Sequence, residues 1–162
     1  MSYNPSTFDP QAFLDMPVDV AFERRQAIPA KDYPAQINDV QPRQWQSKDK
    51  YNNDGTLKSG IAYDVTMSVQ IPLDVKEMCG LKTDSLTLKD SIMLDLNENG
   101  GLATEKGTNN QLRAYREALD MNKPGVTFRA REMIGRMLLV RVKHEEYQGN
   151  IQERVGGVAR LA

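Results

Sequence analysis

The chain is 162 residues long, 40% hydrophobic and 27% charged, with a net charge of −1. That suits one ordinary globular domain, and no run approaches the ~18 consecutive apolar residues of a membrane span. A single cysteine, Cys79, excludes an internal disulfide, and with a single histidine, His144, it leaves no Cys/His set for zinc.

Charge is distributed unevenly. Residues 1–100 hold 10 Lys and Arg against 15 Asp and Glu, a net −5, and residues 101–162 hold 11 against 7, a net +4. Such a split fits nucleic-acid contact, complementary docking between subunits, or ordinary solvated charge.

Residues 1–30 read as an extended, Pro-rich arm. The start, "MSYNPSTFDP", has neither a basic beginning nor an apolar stretch and predicts no secretory signal. Pro5, Pro10, Pro17 and Pro29 break any long helix. One or two helical turns are predicted after Asp9, the N-cap, with Pro10 at the first helical position. Phe8, Phe13, Leu14, Val18, Val20 and Phe22 are too interrupted to build a core of their own. The arm is therefore expected to lie on the chain's own body or on a neighbouring subunit.

The body, residues 31–162, opens with Tyr33, Ala35 and Ile37 on one face and a change of face at Val40, which predicts a bent or bulged strand. "SKDKYNNDGTLKSG" reads as a polar, exposed hairpin tip with Asn53, Asp54 and Gly55 as turn residues. In "IAYDVTMSVQI", Ile61, Tyr63, Val65, Met67, Val69 and Ile71 alternate with more polar or smaller residues, so this is a strand with one buried face. "LDVKEMCGL" predicts a helical turn closed by Gly80, with Cys79 a small packed residue. "SLTLKDSIMLDL" repeats the alternation at Leu86, Leu88, Ile92, Leu94 and Leu96, but Asp90 interrupts it, predicting two short strands or a sharp bend.

"NENGGLATEKGTNNQ", Asn97–Gln111, raises the question of a phosphate loop. A Walker-type loop needs Gly-Lys, whereas here Lys106 precedes Gly107, and a G-x-G-x-x-G is missing too. Thr108 and Gln111 instead have capping-box spacing. The segment is read as a lead into a helix near 109–121, with Leu112, Tyr115, Ala118 and Leu119 inward, Arg113 and Glu117 paired outward, and a stop at Pro124–Gly125. A short turn ending at Gly135 follows. Then come two strands: one with Leu138, Val140 and Val142 on a single face, and one after the "YQGN" turn with a bulge at Gly156–Gly157. His144, with acidic neighbours, reads as a strand histidine without catalytic partners.

About five strands and one inserted helix predict a mainly β fold. The leading form is a small antiparallel barrel of the oligonucleotide/oligosaccharide-binding kind, and a two-sheet sandwich is the competitor. Over about residues 31–160, "GGLATEKGTNNQLRAYREALDMNKPG" and "MIGRMLLVRVKHEEYQGN" resemble small β-proteins of tailed bacteriophages. That resemblance implies one of two non-enzymatic roles: cementing or decorating the phage head, or binding single-stranded DNA.

A cement protein needs docking surface and no chemistry. The arm residues Phe8, Phe13, Leu14, Val18, Val20 and Phe22 would supply that surface, with the major capsid protein and copies of the chain itself as partners in the virion. A single-strand binder, acting in the host cytoplasm during infection, needs a basic groove with stacking aromatics. Arg113, Arg116, Arg129, Arg131, Arg136, Arg141 and Lys143 are the candidate cations. Trp45, Tyr51 and Phe128 are the candidate aromatics, since Tyr63 falls on the core face. The capsid role is the favoured expectation. No catalytic residue, metal site, cofactor or membrane partner is expected.

Overall fold

The computed structural model describes residues 5–162; the first four residues of the predicted arm lie outside the described residues. Five strands form one antiparallel sheet: β1 (Asp32–Tyr51), β2 (Leu57–Gln70), β3 (Ser85–Met93), β4 (Met137–Tyr147) and β5 (Asn150–Ala159), in the spatial order β3-β2-β1-β4-β5. Three short helices accompany it: α1 (Pro10–Leu14), α2 (Leu73–Cys79) and α3 (Asn110–Ala118). The sheet is open. No hydrogen-bonded ladder joins β3 to β5 among the described residues, although the two edge strands approach within 8 Å, Cα to Cα. The mainly β expectation holds at that level, with a curled open sheet in place of a closed barrel.

β1 is the central strand and has two parts. Asp32–Gln36 pairs with β4 on one side, while β2 pairs with β1 from Ala35 onward on the other. Between Ile37 and Asp39 the register with β2 shifts, so the face changes as the alternation predicted and Val40 returns to the core. Beyond that bulge β1 has only β2 beside it, while β3 flanks β2 as far as Ala62. Past the Gln44–Ile61 pair the two strands project alone as a two-stranded finger, closed by a turn at residues 52–56. The predicted 14-residue polar tip is therefore mostly strand, because ladder hydrogen bonds can hold a polar ribbon that has no core to cover.

Alternation set the buried face well. Val65, Met67 and Val69 are fully buried against Tyr33, Ala35, Ile37, Leu138, Val140 and Val142. Each such side chain contributes about 1.5–3 kcal/mol relative to exposure. α2 ends on Gly80 at φ 70°, as expected of a left-handed C-cap. The β4–β5 hairpin turns through Gln148 and Gly149, both at positive φ, and Gly156 is the unpaired residue of a bulge opposite Arg141 and Val142.

β3 corrects one expectation. It runs unbroken through Asp90, whose side chain faces inward with Leu88 and Ile92. The Tyr115 hydroxyl of α3 donates to that carboxylate at 2.6 Å, which makes the inward charge tolerable. Burial, and then the carboxylate itself, hold the Tyr115 phenol far above its ordinary pKa, so it stays a donor.

The Gly-rich segment corrects another. The Thr108/Gln111 capping box does not form: Asn109 is the N-cap, in the left-handed region at φ 49°. The Thr108 hydroxyl donates to Glu105 O at 2.6 Å instead. Gln111 turns back to the edge of β3, accepting from Met93 N–H (3.0 Å) and donating to Ser91 O (2.9 Å). α3 also ends at Ala118, ahead of the predicted stop at Pro124–Gly125.

Candidate functional site

The β1–β2 finger gathers aromatic and cationic side chains. Trp45 pairs with Gly60 across the ladder, and its indole lies against that glycine so closely that a Cβ there would come within 2.8 Å of the ring. The indole Nε1 is buried without a hydrogen-bond partner. Apolar contact and the missing Gly60 side chain thus seat the ring, with no polar tether. Tyr51 is exposed nearer the tip. Lys48, Lys50 and Lys58 stand on the same ribbon with two carboxylates, Asp49 and Asp54.

Asp54 is committed to the turn. Its carboxylate accepts from the Thr56 hydroxyl (2.6 Å) and Thr56 N–H (3.0 Å), and those bonds hold its pKa below the ordinary carboxylate range. None of Lys48, Lys50 and Lys58 forms an ion pair among the described residues.

Below the finger, the outer face of β1, β2 and β3 carries a polar ladder. Arg43 Nε donates to Asp64 at 2.8 Å, and the Ser91 hydroxyl donates to the other Asp64 oxygen at 2.7 Å. The Arg43 bond, then the Ser91 bond, depress the Asp64 pKa. Lys89 lies beside this ladder, in a shallow depression shared with Gln41 and Thr66.

A larger open groove, about 600 Å³, follows the seam between β3 and β5. Leu86–Lys89 form one wall, Ile151–Arg154 the other, and Arg24, Arg25 and Ala27 of the arm enter it. Glu153 anchors the arm there, taking Arg25 at 2.6 Å and the Ile28 N–H at 3.1 Å. His144, the cross-strand partner of Glu153, donates from Nε2 to Ile28 O at 2.6 Å. The Cys79 thiol donates to Ala27 O at 3.6 Å. Both residues that reactivity arguments would single out thus hold the arm's base in place.

Before that base the arm is bare. Asp9 caps α1 through Gln11 N–H at 3.1 Å, as predicted, and Phe8 meets Phe13 edge to face. Yet Phe8, Phe13, Leu14, Val18, Val20 and Phe22 are all exposed, Phe22 at 93%. Nothing of the chain's own body covers them.

The remaining predicted cations are spread over other elements. Arg116 stacks over Phe128, 4.3 Å from the ring centroid, and donates to Met121 O. Arg113 pairs with Glu117, Arg129 with Glu132 and Arg141 with Asp32. Arg131, Arg136 and Lys143 are exposed without ion pairs among the described residues. Of the predicted set, Trp45 and Tyr51 share the finger and Arg116 and Phe128 share a contact. The sequence reading missed Gly60 and the finger lysines. Folding the hairpin about Asn53–Gly55 would set Trp45 opposite Tyr63, and the register shift between Gln46 and Tyr51 moves its partner to Gly60.

Among the described residues, no group of three or more His, Cys, Asp or Glu is placed to hold a metal ion. Nor is any helix long and apolar enough to cross a membrane. No protein-family model matches the chain, and no curated protein sequence matches it.

Proposed function

We propose that the chain binds single-stranded nucleic acid along the β1–β2 finger and the outer face of β2 and β3. The observation that carries this reading is the finger: a tryptophan seated on glycine and an exposed tyrosine, among three lysines free of ion pairs. Bases stack on such rings whatever their identity, and the lysines meet the phosphates. The strand order, with α3 inserted between β3 and β4 and the β3–β5 seam left open, supports reading the sheet as a partly open five-stranded barrel of the oligonucleotide-binding kind. Proteins of that kind bind through the strand 2–3 face and the loop joining strands 1 and 2. The polar ladder Arg43–Asp64–Ser91 would line the strand's path.

Trp45 is the single tryptophan in the sequence, so its emission reports directly on the site. Titration with oligo-dT is expected to quench it, and changing Lys48, Lys50 and Lys58 to Ala is expected to weaken binding and flatten its dependence on salt. Unquenched emission with no measurable binding at low salt would refute the reading.

A second reading, a cement protein of a phage head, is favoured by the exposed apolar arm. It predicts that the full chain co-sediments with assembled heads, and that a chain lacking residues 5–22 does not.

A further inference from the structure

Residues 18–23 read Val-Asp-Val-Ala-Phe-Glu, apolar at every second position, which is the pattern of a strand with one covered face. In the structure the segment has no strand partner, and Val18, Val20 and Phe22 stand 62%, 71% and 93% exposed.

The seam offers the matching edge. Ser91 O and Met93 N–H of β3 point away from β2, since the Gln111 side chain takes both. Alternate residues of an antiparallel strand point their backbone groups the same way, so Thr87 and Lys89 present theirs to the seam. They have β2 on the other side only. The stretch Ser85–Lys89, open except that the Ser85 carbonyl takes the Thr83 hydroxyl at 2.7 Å, has the same length as Val18–Phe22.

We infer that the arm of one copy adds as a strand to the β3 edge in the seam of a second copy, Val18, Val20 and Phe22 packing beside Leu86 and Leu88, with the exchange made reciprocally. Charge supports this occupant. Residues 5–23 carry Asp9, Asp15, Asp19 and Glu23 and no Lys or Arg. In the seam Arg25 is paired with Glu153 and Arg154 with Glu145, which leaves Arg24 and Lys89 to meet an incoming acid.

The chain's own arm is poorly placed to fill the site. Arg24–Ala27 already lie in its groove, and the segment before them leads out to solvent. Doubling back beside Arg24 would leave Glu23 alone for the turn, fewer than the two residues of a tight hairpin loop. Reciprocal donation gives a closed two-fold dimer. The exchange holds whether or not the chain binds DNA.

Sedimentation of the full-length protein is expected to give twice the 18.3 kDa chain mass. Phe22→Asp, a change at an exposed position, is expected to give a folded monomer with an unchanged circular dichroism spectrum and a melting temperature that no longer depends on protein concentration. Lys89→Glu is expected to weaken dimerisation about tenfold, and Asp19→Lys in the same chain to restore it. Cysteine pairing fixes the direction of docking. Chains carrying only Asp19→Cys, mixed with chains carrying only Lys89→Cys, are expected to form a disulfide between the two kinds of chain, since both positions lie on the face opposite Leu86 and Leu88. A monomeric wild type would overturn the inference. So would a disulfide confined to single chains carrying both cysteines, or a dimer indifferent to Phe22→Asp.

Discussion

Two segments outside the sheet, residues 94–109 and the arm before Ile28, are opposites. The first is polar and rich in glycine and asparagine, yet it is built into the fold. Asn109 donates its N–H to the Asp95 carboxylate at 2.7 Å and accepts the Asp95 N–H at 2.7 Å, and its Nδ2 donates to Asp95 O and Ala103 O. The Asn97 side chain closes a second turn through Asn99 N–H and Gly101 N–H, and Leu96 bridges to Leu102. The arm is rich in phenylalanine and valine, yet it stays in solvent until Arg25. Apolar content alone did not dock it: Phe8, Phe13, Leu14, Val18, Val20 and Phe22 all stand exposed in the single chain. A buried asparagine whose side-chain amide donates twice and accepts once fastened the polar segment.

Four measurements test that contrast. The largest effect is expected where the arm enters the fold. Ile28 is fully buried, and Ile28→Ala should cost about 2–5 kcal/mol in urea denaturation. A loss below that range would mean that the arm ends later than Ile28.

Asn109→Ala should cost roughly 2–3 kcal/mol, since it strands the Asp95 N–H, leaves the Ala103 carbonyl only the long Thr108 hydroxyl contact at 3.3 Å, and puts alanine at positive φ. It should also speed amide exchange across residues 95–109. A near-neutral result would reduce the polar segment to a connector.

The third measurement concerns the clamp on the arm's base. Burial raises the Glu153 carboxyl, but Arg25 and the Ile28 N–H outweigh it, and the net pKa lies below the ordinary value. A depressed carboxylate stabilises the fold above its unfolded pKa, and that contribution fades as pH falls through the folded pKa. Exchange at the Ile28 amide, corrected for intrinsic rate, should therefore rise on acidification through the lower carboxylate range. Glu153→Gln should be looser at neutral pH and lack this dependence. Identical profiles for the two proteins would place the clamp elsewhere.

The smallest effect belongs to the bare arm. Phe13→Ser should shift stability by no more than about 0.5 kcal/mol, as expected of a surface position. A larger loss would show that the phenylalanine is covered in solution.

Much of this molecule was determined by sequence alone. Period-two alternation fixed the faces of β2 and β4, because a strand with one buried face must repeat every second residue. Asp9-Pro10 fixed the start of α1, Gly80 the end of α2, and "YQGN" the last turn, since these are local backbone preferences. The aromatic and cationic candidates were likewise read from composition, but their grouping was not. That Gln111 would leave its own helix for β3, that Tyr115 would make Asp90 a core-facing residue, and that Gly60 would seat Trp45 were decided by contacts 15 to 25 residues apart. Only the assembled sheet, with its bulge at Ile37–Asp39, brought those partners together, because a register shift changes which side chains meet without changing the local pattern.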